Sequence, residues 1–361
     1  MKKIHLPLKT LPKPAQIPHT ARALPQSLQQ ECGNEIRCLA CARGCTLHES
    51  QIGFCSAVTR WGNSLYNTAY GVAGELAIKK IEEKAFHFKP NSSVLSIGQL
   101  GCSLRCSFCQ NFDLAYSNAS QGGNLDEPNA PPEQIIAAAL EYGCDGISWS
   151  HNEPTISPQY VYDCAALAHQ HGLYTVLVTN GLITYEAMDF LGPVIDVYRV
   201  DIKSLDASFY KTVAGMPSNK TLLPVTAYGW QKYGFHLETS TNLMPGLNDS
   251  EDHLERLTCA IKDYLGKDTP WHCTTYIPYA FMAHIPATPS ETLQKARNIG
   301  IKNGLSYVYT DDLAFPETHN TFCPNCHALL ISRNLDEVKL YSFNTNKNCC
   351  SYCNFKINIV I

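Results

Sequence analysis

Apolar residues recur along the middle of the chain with two alternating periods. Short runs such as Ser93-Val94-Leu95-Ser96-Ile97-Gly98 predict strands, and longer stretches with apolar positions three and four residues apart predict helices. On this pattern strands are expected at 94–98, 146–150, 174–179, 194–202, 235–242 and 272–277, with one more at Leu305–Tyr309. Helices are expected near 132–142, 158–171, 185–191, 206–214, 251–265 and 290–303. Strands that alternate with helices at this spacing predict parallel βαβ units. About six such units predict an α/β fold built on a partial TIM-like (β/α)6 barrel, in which reactive residues gather at the C-terminal ends of the strands.

The flanks break this rhythm. Residues 1–31 carry Pro7, Pro12, Pro14, Pro18 and Pro25 with little apolar periodicity, and are expected to form a Pro-rich arm. Residues 32–90 read as an N-terminal cysteine-rich module, 91–312 as the barrel, and 313–361 as a C-terminal metal-binding module with two Cys-x2-Cys pairs. The start of the chain, Met1-Lys2-Lys3-Ile4-His5-Leu6-Pro7, lacks the apolar stretch of a secretory signal. No apolar run approaches the roughly 20 residues that span a bilayer. The expected location is the cytoplasm, with no membrane partner.

Charge narrows the partners. The chain has 28 basic and 32 acidic residues, a net charge of -4, which gives no general electrostatic case for binding nucleic acid or an anionic membrane. The sequence also lacks a basic appendage interleaved with aromatics, which argues against an RNA-modifying enzyme. Of 17 cysteines, twelve fall into three clusters with short internal spacings, a distribution that points to metal ligation in a reducing compartment.

The central cluster is Gly101-Cys102-Ser103-Leu104-Arg105-Cys106-Ser107-Phe108-Cys109, on the loop that follows the first barrel strand. Three closely spaced thiolates can hold three irons of a 4Fe-4S cube and leave the fourth iron open to a small molecule. A lone zinc ion would require a fourth ligand nearby. Upstream, Cys38, Cys41, Cys45 and Cys55 form C-x2-C-x3-C-x9-C, which suits either structural zinc or an auxiliary 4Fe-4S cluster. Downstream, Cys323, Cys326, Cys350 and Cys353 resemble a zinc ribbon, with Cys349 a competing ligand beside Cys350.

Each predicted strand also ends in a polar cluster: Ser150 to Thr155, then Thr179-Asn180-Gly181, Asp201-Ile202-Lys203, and Glu238 to Asn242. Plainer readings exist for each. The Asn152-Glu153-Pro154-Thr155 turn can cap the next helix, Thr179-Asn180-Gly181 is a common turn, and Asp201 and Lys203 share a strand face as an ion pair would. Lys79, Lys80, Glu82, Glu83 and Lys84 read as a solvated helix face. His87, His236 and His272 read as structural histidines, and Cys273 as the barrel cysteine to test for reactivity.

Taken together, these motifs resemble the radical S-adenosylmethionine enzymes, specifically the pyruvate formate-lyase activating enzyme-like group and its AmmeMemoRadiSam system branch. The resemblance runs from about Cys38 to Cys353 and rests on Gly53-Phe54-Cys55, His87-Phe88, Gly101 to Asn111, Asn152 to Thr155, Val178 to Gly181, Asp201-Ile202-Lys203, Pro245 to Asp249 and Cys323 to Cys326. It implies a 4Fe-4S cluster on Cys102, Cys106 and Cys109, and S-adenosylmethionine chelated at the open iron. It further implies reductive cleavage to a 5'-deoxyadenosyl radical that abstracts hydrogen from a substrate, which in glycyl-radical activases is a protein. Phe108 would lie near the adenine, and Asn152, Glu153, Asn180, Asp201 and Lys203 would contact the cofactor. An electron donor such as flavodoxin or ferredoxin is implied as partner. His151 departs from the pattern, standing where the family usually has an aromatic. The rival from another class is a zinc-stapled binding module without radical chemistry.

Overall fold

The apolar runs between Val94 and Thr310 lie side by side as one sheet in the computed structural model of the chain, which describes residues 20–117, 130–334 and 337–361. Its strands are β1 (Ala73–Lys80), β2 (Ser93–Gln99), β3 (Gly146–Trp149), β4 (Tyr174–Thr179), β5 (Val197–Asp201), β6 (His236–Leu243), β7 (Trp271–Thr275) and β8 (Val308–Thr310). They are ordered β8-β7-β6-β5-β4-β3-β2-β1. All neighbours from β2 to β8 are parallel, and β1 alone runs antiparallel, against β2. Helices α1 (Pro132–Glu141), α2 (Pro158–Gln170), α3 (Tyr185–Leu191), α4 (Leu222–Tyr233), α5 (Glu251–Leu265) and α6 (Ser290–Lys302) supply the crossovers. The result is the expected α/β architecture, a parallel-stranded partial barrel.

Local sequence explains the helices. In α5 the Ser250 side chain accepts from the His253 N–H at the N-terminus. The apolar positions Leu254, Leu257, Ile261 and Leu265 are buried on one face. Helix α2 starts on Pro158, which suits the first turn, and buries Tyr160, Val161, Cys164 and Ala168.

Two of the elements named above are not expected from the pattern. Helix α4 contains Pro224 and Gly229, which disguise it; Pro224 lies in the first turn, where its missing N–H has no partner to lose. Strand β1 mixes exposed Glu75, Leu76 and Ile78 on a sheet edge, so it shows no clean alternation. The charge run after it is not a helix face. Lys79 and Lys80 end β1, and Lys84 turns inward, buried, with its Nζ 3.3 Å from Ser150 Oγ. Burial lowers the Lys84 pKa to about 8. Cys273 is fully buried on β7, and burial pushes its thiol pKa well up, so it is not a reactive thiol.

Of the proposed arm, Pro7, Pro12, Pro14 and Pro18 lie outside the described residues. Farther on, Arg22–Ala23 pairs with Ser64–Asn67, and Leu24 and Leu28 are buried. The C-terminal residues share a core with the barrel: Tyr307 and Tyr309 cluster with Leu330, Ile331, Ile357 and Ile359. Among the described residues no helix is long and apolar enough to cross a membrane.

The barrel floor is closed by an apolar layer of Ile81, Phe88, Val94, Tyr174, Val176 and Val197. Beside it lies Glu238, fully buried, which accepts from the N–H groups of Phe86 (3.0 Å) and His87 (2.6 Å) and pairs with His236 Nε2 (3.0 Å) and His272 Nε2 (2.6 Å). Burial alone would raise the carboxyl pKa, but the hydrogen bonds from His236 and His272 outweigh it and hold it well below the usual range. The histidines are therefore structural partners. A carboxylate whose folded pKa is depressed adds stability that is fully present above its unfolded pKa, about 4.3, and is lost as pH falls through the folded value. Glu238→Gln should thus lower the unfolding free energy at pH 7 by about 1–3 kcal/mol. Denaturant titrations at several pH values should also show a flatter acid limb for the variant than for the wild type.

Candidate active site

Residues 101–109 leave the end of β2 without forming helix or strand, so their backbone groups need partners from elsewhere. The N–H groups of Gly101, Arg105 and Ser107 donate to the carbonyls of Leu114, Ala214 and Val213 at 2.8–2.9 Å. Asn152 Nδ2 donates to the Gly101 carbonyl at 2.9 Å, and the Phe281 N–H to the Ser107 carbonyl at 2.9 Å. Arg105 curls back on its own loop, donating to the Cys102 and Leu104 carbonyls at 2.8 Å, and reaches Phe54 O at 2.9 Å and Ser56 Oγ at 3.2 Å. Arg43 donates to the Ser103 and Gly215 carbonyls.

This frame turns Cys102, Cys106 and Cys109 toward one cavity. Its remaining walls come from successive strand ends: Asn152 after β3, Asn180 after β4, Asp201 and Lys203 at β5, Ser240 and Asn242 on β6, and Thr274 on β7. Phe108 lines it as well. Lys203 Nζ lies 3.8 Å from an Asp201 carboxylate oxygen and 5.8 Å from the centre of the Phe108 ring. Burial opposes the Lys203 charge, but Asp201 and the neighbouring thiols more than offset it, so its pKa is raised. Burial pushes the Cys106 thiol up to about 11 and raises Cys102 and Cys109 also. A metal must therefore displace protons here.

The expected contact residues divide by what their atoms do. Asn152 and Asn180 line the cavity while their amides brace the loop: Asn180 Nδ2 donates to Ser103 Oγ at 3.0 Å, and Asn152 Oδ1 accepts from the Gln99 N–H at 3.1 Å. Glu153 is 1% exposed and does not reach the cavity wall. It accepts from the N–H groups of Thr155 and Asn180 and from Thr179 Oγ1, tying the end of β3 to the end of β4. Several wall residues escaped the sequence reading. Arg199 is one, and the alternation Arg199, Asp201, Lys203 along one strand face was the signal that would have found it. Arg105 and Arg43, which brace the loop without lining the cavity, also escaped it, and most of their partners are backbone carbonyls that no motif marks.

The flanking thiols differ in spacing. Cys323 and Cys353 sulfurs lie 3.5 Å apart, Cys326 and Cys350 3.6 Å apart, and all four within 4.8 Å of one another. Thiolates around one tetrahedral ion at about 2.3 Å stand about 3.8 Å apart, so this set fits a single ion. Cys349 is outside it. Among the described residues no other group of three or more Cys, His, Asp or Glu ligand atoms draws together this closely. The thiolates of a four-iron cube stand at its outer corners, roughly 6 Å apart, so the looser set facing the cavity suits a cube better than one ion. Upstream, Cys38, Cys41, Cys45 and Cys55 line a second, smaller void.

Comparison with known proteins finds several that resemble the chain. The sequence profile of the radical SAM superfamily matches residues 96–257. An uncharacterised protein of Methanocaldococcus jannaschii is 36% identical over 331 residues, covering 91% of this chain and 96% of that protein. The pyruvate formate-lyase-activating enzyme of Clostridium pasteurianum is 26% identical over 172 residues, covering 45% of this chain and 67% of that enzyme. A radical SAM methyltransferase from Sphaerobacter thermophilus aligns with a TM-score of 0.48 at 16% identity, over 62% of this chain and 67% of the other.

Gly101 is the strictest backbone position in the loop. Its φ is +90°, and a Cβ there would collide with the Cys55 carbonyl. Gly101→Ala should therefore lower stability by about 1–3 kcal/mol, read as a drop in the thermal midpoint of the metal-free protein.

Proposed function

The chain belongs to the radical SAM superfamily, and on that premise we propose that it carries a 4Fe-4S cluster on Cys102, Cys106 and Cys109 and cleaves S-adenosylmethionine there. When bound, the cluster and cofactor supply one-electron cleavage of the sulfonium, giving a 5'-deoxyadenosyl radical that takes hydrogen from the substrate. The observation that carries the reading is that all three thiols face one cavity whose other walls are the polar ends of successive parallel strands.

The chain's own residues divide the work. Asn152 and Asn180 hold the cysteine loop to the strand ends. Asp201 and Lys203 offer a carboxylate and an ammonium, complementary to the amino and carboxylate ends of the cofactor. Phe108 offers an apolar ring for the adenine. The apolar layer at the other end of the strands limits water from that side. The electron is supplied by a low-potential donor of the flavodoxin or ferredoxin class.

We assign a protein or peptide segment as substrate. The pyruvate formate-lyase-activating enzyme, by its name, acts on another enzyme. Here the loop whose Phe281 binds the cysteine loop carries exposed Ile277, Tyr279 and Phe281, an apolar rim that suits a macromolecule better than a small solute. In the C-terminal module we place one zinc ion on Cys323, Cys326, Cys350 and Cys353, because tetrahedral all-thiolate ligation is the common structural zinc geometry.

Anaerobic reconstitution followed by dithionite reduction should release 5'-deoxyadenosine from S-adenosylmethionine. Cys106→Ser should reduce that product at least about 100-fold. If product persists in Cys106→Ser, the assignment of the cluster is wrong. Lys203→Ala should keep the iron content but weaken S-adenosylmethionine binding about tenfold, measured by calorimetry. Metal analysis of the same preparations should find about one zinc per chain, lost in Cys326→Ala together with a lower melting temperature.

A further inference from the structure

We propose that Cys38, Cys41, Cys45 and Cys55 hold a second iron–sulfur cluster, of the four-iron cube class, directly behind the loop that carries Cys102, Cys106 and Cys109. All four thiols line the same small void, and none is in a disulfide. Cys38, Cys41 and Cys55 are buried and Cys45 is half-buried. Such a convergence of thiols in an apolar pocket has no packing rationale of its own.

Sulfur spacing separates a cube from zinc. The C-terminal set in this chain shows what a one-ion site looks like, with all four sulfurs within 4.8 Å of one another. The N-terminal set surrounds a void without contracting to that size, as corners of a cube roughly 6 Å apart would require. Charge is matched too. A cube held by four thiolates is anionic, and Arg43 borders the void with its guanidinium 3.4 Å from the centre of the Phe54 ring. Arg105 lies 4.9 Å from the same ring. Both cations are fixed by carbonyls of the central loop.

The two sites stand back to back. Ser103 forms part of the wall of the small void, while its chain neighbours Cys102 and Leu104 line the large cavity, so one layer of backbone divides them. The Cys55 carbonyl packs against Gly101 of that layer. This arrangement suits a relay: one electron from a ferredoxin-class donor reduces the second cluster, which is reoxidised as that electron passes to the first. The relay rests on the function proposed above, whereas the binding of the second cluster does not.

The test begins with the Cys102→Ala/Cys106→Ala/Cys109→Ala variant, purified and reconstituted without oxygen. It should retain about four irons and four sulfides per chain, against about eight for the wild type, and give an electron paramagnetic resonance signal on dithionite reduction. Zinc in place of iron, or no metal at all, in a variant with native circular dichroism overturns the proposal. The complementary Cys41→Ala/Cys45→Ala variant should lose about half of the wild-type iron. If the wild type holds about four irons that survive in the triple variant and vanish in the double variant, the second cluster stands and the first assignment fails.

Discussion

A loop that offers three thiols to one side cannot also satisfy its backbone through regular pairing, and this constraint organises the upper half of the molecule. Between Gly101 and Cys109 the exposed peptide groups are met by long-range partners: Arg43 from the N-terminal module, Asn152 from the β3 end, the Val213 and Ala214 carbonyls, and the Phe281 N–H from the rim. Each bond draws a separate part of the chain onto the loop. Cys102, Cys106 and Cys109 are thus held by groups from most of the sequence, though they lie within a stretch of eight residues. Fixing a site through neighbours that are themselves packed is the general way in which a geometry of this kind is kept.

The lower half of the barrel has the opposite character. An apolar layer and the Glu238 network fill it, with donors from the Phe86–His87 backbone and from two histidines satisfying a fully buried carboxylate. The C-terminal residues lock onto the same region, since His87 Nδ1 approaches the Asn358 carbonyl at 2.7 Å and Arg333 donates to the Phe86 carbonyl at 2.6 Å. The C-terminal module therefore stiffens the floor, far along the strands from the cysteine cavity. A rigid floor and an irregular, hydrogen-bonded mouth divide stability and chemistry between the two ends of one sheet.

How far the sequence reveals this depends on how local the cause is. The barrel strands and most of its helices are visible because their periods and caps are contained in a few residues, as with Ser250 and α5. Helix α4 is hidden by Pro224 and Gly229, whose meaning depends on position within the helix. The cysteine spacings are visible too, since ligand sets are local in sequence. The use made of Asn152, Glu153 and Asn180 is not, because an amide that lines a cavity and one that braces a loop have the same letter. Arg43 is the extreme case: its acceptors are carbonyls 60 and 172 positions away. Lys84 shows the converse failure, a charge run that looks solvated until its last member turns inward to Ser150.

Clustered cysteine thiols occur here in three settings that differ in how the sulfurs are spaced and in what surrounds them. In the C-terminal module the sulfurs nearly touch, and Cys326 is exposed, an arrangement that closes a small fold around one ion. At the strand ends three sulfurs face a polar cavity with a fourth direction left to solute. In the N-terminal module four sulfurs face a void lined mainly by apolar side chains, with an arginine at its edge. Ser103, in the loop that carries the cavity cysteines, forms part of the wall of that void. The layer from Gly101 to Leu104 is consequently both the support of one site and the boundary of the other, and its glycine, held against the Cys55 carbonyl, sets how near the two can come.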